Sequence, residues 1–112
     1  MSECIFCKIA KGEIPTEFVY KDDSVFVVRD VNPQAPTHLL VIPAQHVASA
    51  AEVNDPKIWT LLMERAVETA RTLGLDKDGF RMVMNTGEQG GQTVPHIHLH
   101  LLSGRNFGWP PG

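Results

Sequence analysis

The chain has 112 residues, 43% of them hydrophobic, enough for one core of ordinary domain size, and it is read as a single domain over residues 1–112. Ten Lys and Arg against 13 Asp and Glu leave a net charge of -3, with no cationic surplus to neutralise the phosphates of a DNA or RNA polymer. No apolar run approaches the roughly 20 residues of a membrane span, and the N-terminus lacks the apolar stretch of a signal peptide, so a cytoplasmic protein is expected.

In chain order, residues 4–11 predict a short helix ended by Gly12, with Pro15 in the following turn. Three strands are expected at 18–20, 25–30 and 38–42, rich in apolar and β-branched residues and bounded by Asp, Asn and Pro. Asp55-Pro56 supplies an N-cap and a first-turn proline, and Gly74 a stop, so one long helix lies between them. Ile58, Leu61, Leu62, Arg65, Ala66, Thr69, Ala70 and Leu73 follow helical spacing, largely apolar, so one face is ready to pack on a sheet. Two further strands, 80–85 and 96–102, flank a glycine-rich loop over 86–95, and the prolines of the 107–112 tail keep it extended. The sum is an α+β fold: a five-stranded antiparallel sheet, one long helix and a short N-terminal helix.

His96-Ile-His-Leu-His-Leu-Leu102 alternates imidazole with aliphatic residues, which on a strand puts three imidazoles on one face and Ile97, Leu99 and Leu101 in the core. Such a row suits surface exposure, metal ligation or catalysis, and the preceding loop favours the last. Gly87, Gly90 and Gly91 allow close approach of backbone N–H groups to phosphate oxygens, and Gln92 and Thr93 add side-chain donors. Neutral imidazole, with an ordinary pKa near 6.5, offers one free ring nitrogen as nucleophile if a carbonyl holds the other as a donor. A neighbouring imidazole can then bond the phosphate oxygens, and no metal is required for that chemistry.

With its motifs Asp30-Val-Asn-Pro-Gln-Ala-Pro-Thr-His-Leu-Leu-Val-Ile-Pro43, Asn85, Gly90-Gly-Gln-Thr-Val94, the histidine strand and Trp109-Pro-Pro-Gly112, the chain resembles the histidine-triad (HIT) superfamily, in particular its Hint branch of nucleoside phosphoramidases. The resemblance implies a HIT-like sheet continued across a homodimer. It implies hydrolysis of purine nucleoside phosphoramidates, carrying an AMP or GMP moiety, through a nucleotidyl-His98 intermediate. His100 would contact the phosphate, and His38 would support the nucleophile. Asn85, Gly91, Gln92 and Thr93 would bind phosphate or assist the leaving group, with His96 beside them. Asp30 and Val31 would meet the ribose, and Phe6, Ile14 and Val28 would line the purine pocket, Val28 being smaller than the aromatic residue many relatives place there. Trp109 would shape leaving-group choice across the dimer or act as a packing anchor. Two alternatives stand beside this reading: a nucleotide-binding regulatory module with vestigial activity, and a dinucleoside polyphosphate hydrolase or nucleotidyl transferase.

Cys4 and Cys7 are the only cysteines and form a C-x-x-C pair. In a reducing compartment such a pair is a metal site, a redox site or two free thiols. The resemblance supplies His46 and His96 as the further ligands of a structural zinc. A His96 bound to metal could not also protonate a leaving amine.

Overall fold

The computed structural model describes residues 4–112. Helix α1 (Ile5–Ala10) is followed by strands β1 (Tyr20–Lys21), β2 (Val25–Arg29) and β3 (Thr37–Pro43). A 3-10 turn (Ala50–Glu52) leads to the long helix α2 (Lys57–Thr72), then β4 (Arg81–Val83), a one-turn helix α3 (Gly87–Gly90) and β5 (Leu99–Ser103). The strands form one antiparallel sheet in the order β1-β2-β3-β5-β4. The expected α+β class and strand count hold, and among the described residues no helix is long and apolar enough to cross a membrane.

The ends of α2 follow from its punctuation. Asp55 Oδ1 accepts the Lys57 N–H at 3.0 Å, satisfying a donor that the helix start leaves free, and Gly74 at φ +76° turns the chain away after the last turn. Ile58, Leu62, Ala66, Thr69 and Ala70 are buried against the sheet. Leu73, expected on that face, is 43% exposed, because it follows the last helical residue. Arg65 lies at the rim of the same face, and its Nε donates to Asp22 Oδ2 at 2.8 Å, tying the helix to the β1–β2 turn.

Both faces of the sheet are covered. Val25, Val27, Leu39, Val41, Leu99 and Leu101 pack under α2, while Phe26, Val28, Leu40 and Ile42 point the other way, onto Phe6 and Ile9 of α1. This is why β2 and β3 are continuous apolar runs rather than alternating ones.

The expected strands shift at their ends, β1 from 18–20 to Tyr20–Lys21 and β4 from 80–85 to Arg81–Val83, and the histidine strand starts later. β5 begins at Leu99, so residues 96–98 approach it in irregular backbone and only His100 of the three histidines lies within a strand. The register that pairs Val41 with Leu99 would bring Pro43 opposite Ile97, and a proline has no N–H to continue the ladder. The alternation of faces survives: Ile97 joins Leu99 and Leu101 under α2.

Candidate functional site

On the α1 side of the sheet a cavity of about 560 Å³ opens between α1, the 14–17 segment, β2, β3 and the histidine segment. Phe6, Ile14 and Val28 form an apolar wall together with Ile5, Ile9 and Leu40. Asp30, Thr93, His98 and His100 add polar groups to the lining, with Val31 following Asp30. Leu40 was not singled out from the sequence, although it stands opposite Val28 in the β2–β3 register and shares its face. Glu17 and Arg29 at the mouth were also missed, and no sequence signal marks them.

The histidines are held by a chain of directed hydrogen bonds. His98 Nδ1 lies 2.8 Å from the carbonyl oxygen of His96, which can only accept, so Nδ1 carries the hydrogen and Nε2 keeps a free lone pair. His38 Nδ1 accepts the Gln34 N–H at 3.0 Å, so the hydrogen of neutral His38 sits on Nε2 and is donated to His100 Nδ1 at 2.9 Å. His100 is thereby left with its own N–H on Nε2. Burial, then the neighbouring His98 and His38, depress the His100 pKa to about 4, against a smaller opposing effect of Asp30, so this donor is neutral at pH 7. Asp30 Oδ1 accepts the Asn32 N–H at 2.8 Å, capping the turn before Pro33, and its Oδ2 lies 3.4 Å from His38 Nε2.

Four expected site residues stand elsewhere. Asn85, Gly91, Gln92 and His96 do not line the cavity, and His38, which does not line it either, acts on it through its bond to His100. The Gly91 and Gln92 N–H groups donate to Glu88 O and Gly87 O inside the α3 turn, so they do not form an open phosphate cradle. The Gln92 amide is spent the same way: Nε2 donates to Ala48 O at 2.7 Å and Val94 O at 3.0 Å, and Oε1 accepts from Gly87 N–H. Asn85 sits under the loop, 3.7 Å from where a Cβ on Gly90 would lie. In this conformation Gly91 and Gln92 brace the loop, and Thr93 and Val94 are its members that reach the cavity.

His96 is fully buried and turned away from the cavity. Its Nε2 donates to Pro43 O at 2.8 Å, which leaves Nδ1 as a lone pair, and burial lowers its pKa and keeps the ring neutral. That nitrogen faces Cys4 Sγ at 3.3 Å, Cys7 Sγ at 3.6 Å and His46 Nδ1 at 3.1 Å, and Cys7 Sγ is 3.2 Å from His46 Nδ1. All four atoms lie within 4.8 Å of one another. A tetrahedral zinc with bonds of about 2.0–2.3 Å holds its ligand atoms roughly 3.3–3.8 Å apart, so the two thiols and two imidazoles fit a closed, structural site. Burial, reinforced by the adjacent Cys4, pushes the Cys7 thiol up, and a bound cation would reverse that preference. With its ring committed to this cluster, His96 is not placed to protonate a leaving group.

Comparison with known proteins adds the following. The HIT domain model matches residues 11–107. The chain is 44% identical over 108 residues to the purine nucleoside phosphoramidase of Escherichia coli strain K12, covering 95% of this chain and 91% of that protein. It is 47% identical over 115 residues to the 14 kDa zinc-binding protein of Zea mays, covering 99% of this chain and 89% of that one. The crystal structure of a HIT family hydrolase from Legionella pneumophila Philadelphia 1 superposes with a TM-score of 0.94 at 49% identity, over 98% of this chain and 100% of the other.

Proposed function

This chain belongs to the HIT domain family, and from that membership we propose that it hydrolyses purine nucleoside phosphoramidates, AMP or GMP conjugates of amines, with His98 as nucleophile. The observation that carries the reading is the His96 carbonyl on His98 Nδ1, which leaves Nε2 as the one free ring nitrogen of a side chain lining the cavity. The purine lies against Phe6, Ile14 and Val28, with Ile9 and Leu40 behind it, and Asp30 and Val31 meet the ribose. The similarity to a purine nucleoside phosphoramidase supports this choice of substrate.

In the reaction His98 Nε2 attacks phosphorus while the bond from phosphorus to the amine nitrogen breaks, and the amine departs with a proton delivered through Thr93 or water. His100 donates its Nε2 hydrogen to a phosphate oxygen, and His38, held by the Gln34 N–H, keeps His100 in the required tautomer. Water then attacks the nucleotidyl-histidine, the bond from phosphorus to His98 breaks, and the nucleoside monophosphate leaves. His98 attacks as a neutral ring, is positively charged while it bears the nucleotide on Nε2 and the hydrogen on Nδ1, and leaves neutral, and neither step needs a cofactor. Gly91, Gln92 and Asn85 act by holding the loop that presents Thr93.

Cys4, Cys7, His46 and His96 hold a structural zinc, a reading supported by the donor geometry and by the name of the maize relative. All four positions are filled by protein, so a metal there staples α1 to the 44–49 and 96–98 segments and offers no open position to a substrate. The protein acts in the cytoplasm, where such thiols stay reduced, as one HIT domain paired in a homodimer. The pairing reading draws on β4, an edge strand of the sheet, and on Trp59 and Met63, which α2 leaves 39% and 45% exposed. Trp109, 83% exposed in the tail, is free to reach a partner's cleft.

The test is release of amine from adenosine 5′-phosphoramidate by wild type and His98→Asn, with AMP binding measured in parallel. Turnover falls by about 10⁴-fold or more in the variant while AMP still binds, as expected when a nucleophile is removed. Full turnover by His98→Asn refutes the covalent mechanism. A wild type that binds AMP and releases no amine makes the protein a nucleotide-binding module.

A further inference from the structure

His96 belongs to two constructions at once. Its Nδ1 faces Cys4, Cys7 and His46, while its carbonyl oxygen accepts the Nδ1 hydrogen of His98. Residues 96–98 lie ahead of β5 and lack the cross-strand ladder that starts at Leu99. Other contacts hold them. The His96 ring is fixed between the cluster and Pro43 O, and the Ile97 N–H donates to Val47 O at 2.7 Å, on the residue next to His46. Phe6, between the two cysteines on α1, sets its ring edge-on against both His96 and His98, with centroids 5.6 and 5.3 Å away.

We propose that Cys4, Cys7 and His46 are positioning residues for the nucleophile: joined to His96 through one metal ion, they hold its carbonyl where it fixes His98 in the Nδ1–H tautomer. The physical reason lies in the 3.1 Å between the two imidazole Nδ1 atoms. A hydrogen on His46 Nδ1 can bridge that gap, but His96 Nδ1 also lies 3.3 and 3.6 Å from the two cysteine sulfurs, and its one lone pair accepts only one hydrogen, so without a shared cation the other donor atoms crowd it with unshielded lone pairs. Without the ion the His96 ring is driven to turn, and the peptide that carries its carbonyl, outside the ladder, is left to the Ile97 N–H bond to Val47 O, whose neighbour His46 is released at the same time. The carbonyl then no longer selects one nitrogen of His98, and the fraction of molecules with Nε2 free in the cleft falls. Metal occupancy thus governs the reactivity of a site that contains no metal. The inference rests on His98 being the nucleophile, but its first readout, the tautomer, needs no substrate.

The experiment uses the full chain labelled with ¹⁵N-histidine. Ring nitrogen shifts at pH 8 report the His98 tautomer in the zinc-loaded wild type, in Cys4→Ser/Cys7→Ser and in His46→Gln, with metal content measured in each. Ala70→Gly, on the buried face of the last turn of α2, reports what a general loss of stability does. In the zinc-loaded wild type and Ala70→Gly, His98 is held as Nδ1–H. In the metal-free variants it becomes a mixture, and formation of the nucleotidyl-histidine slows by about 10- to 100-fold, the usual loss when an outer support of a working group is removed. AMP affinity changes by less than about threefold, which separates positioning of the nucleophile from damage to the pocket. If the double cysteine variant does not fold, His46→Gln, which keeps both thiols and the α1 cap, decides alone. Metal-free variants that keep the Nδ1–H tautomer overturn the proposal, as does an equal loss of tautomer in Ala70→Gly. A tautomer lost in the cluster variants of a wild type that releases no amine upholds the positioning and removes only the phosphoramidase reading.

Discussion

Protonation of His100 should be a measurable source of acid instability. Its pKa is depressed by burial from the ordinary 6.5 to about 4, while in the unfolded chain it titrates normally. Between those values the unfolded chain binds a proton that the folded one refuses, so stability is complete above pH 6.5 and declines as the pH falls towards 4. A gap of that size, at about 1.4 kcal/mol per pH unit, amounts to about 3 kcal/mol. His100→Gln removes the titration while keeping an acceptor for the His38 N–H. Urea unfolding of wild type and variant at pH 7.5, 6, 5 and 4 isolates the contribution, because every other titrating group cancels in the difference to first order. The wild type should lose about 3 kcal/mol relative to the variant across that range. Parallel curves for the two proteins would refute the claim that His100 is held neutral by its surroundings, and with it the role of His100 as an uncharged donor.

Gly104→Ala should destabilise the protein by about 1–3 kcal/mol, because the new Cβ would sit 2.7 Å from Pro36 Cβ at a φ of +100°; thermal unfolding reads this, and an unchanged midpoint refutes it. Pro36 immediately precedes β3, so the same variant should also loosen His38 and lower kcat. Gln92→Ala removes three hydrogen bonds, one that ties the 86–95 loop to Ala48 and two that brace the loop internally at Gly87 and Val94, and should cost about 1–2 kcal/mol while raising KM more than it lowers kcat. Equal KM values would mean that the loop is braced without Gln92. Chelation of the wild type should lower the unfolding temperature, and it should leave Cys4→Ser/Cys7→Ser unaffected.

Much of the site was legible because the chemistry is written in periodicity. The alternation over residues 96–102 placed Ile97, Leu99 and Leu101 under the helix and His98 and His100 towards the cleft, and that placement holds although the strand itself starts at Leu99. Asp30, expected at the ribose, lines the cavity with its two oxygens one in the turn and one beside His38. The glycine-rich loop was the harder case. Composition counts the donors of Gly91 and Gln92 but does not say where they point, and here they close on the loop's own carbonyls.

Sequence by itself determined the elements, their faces and the residue types at the centre, since these depend on local spacing, caps and hydropathy. It also marked Cys4 and Cys7 as a pair, two positions three apart whose approach needs only one helical turn. The choice between the two roles of His96 was left to the tertiary structure. Its ring could face the cleft with His98 or turn to the cysteines, and that depends on Pro43, on His46 and on α1, which are brought to it from 53, 50 and about 90 residues away. Contacts over such separations have no signature in local pattern, because packing alone brings the segments together. The sheet and its two covered faces therefore decide which nitrogen of each histidine is free, and the chemistry follows from that.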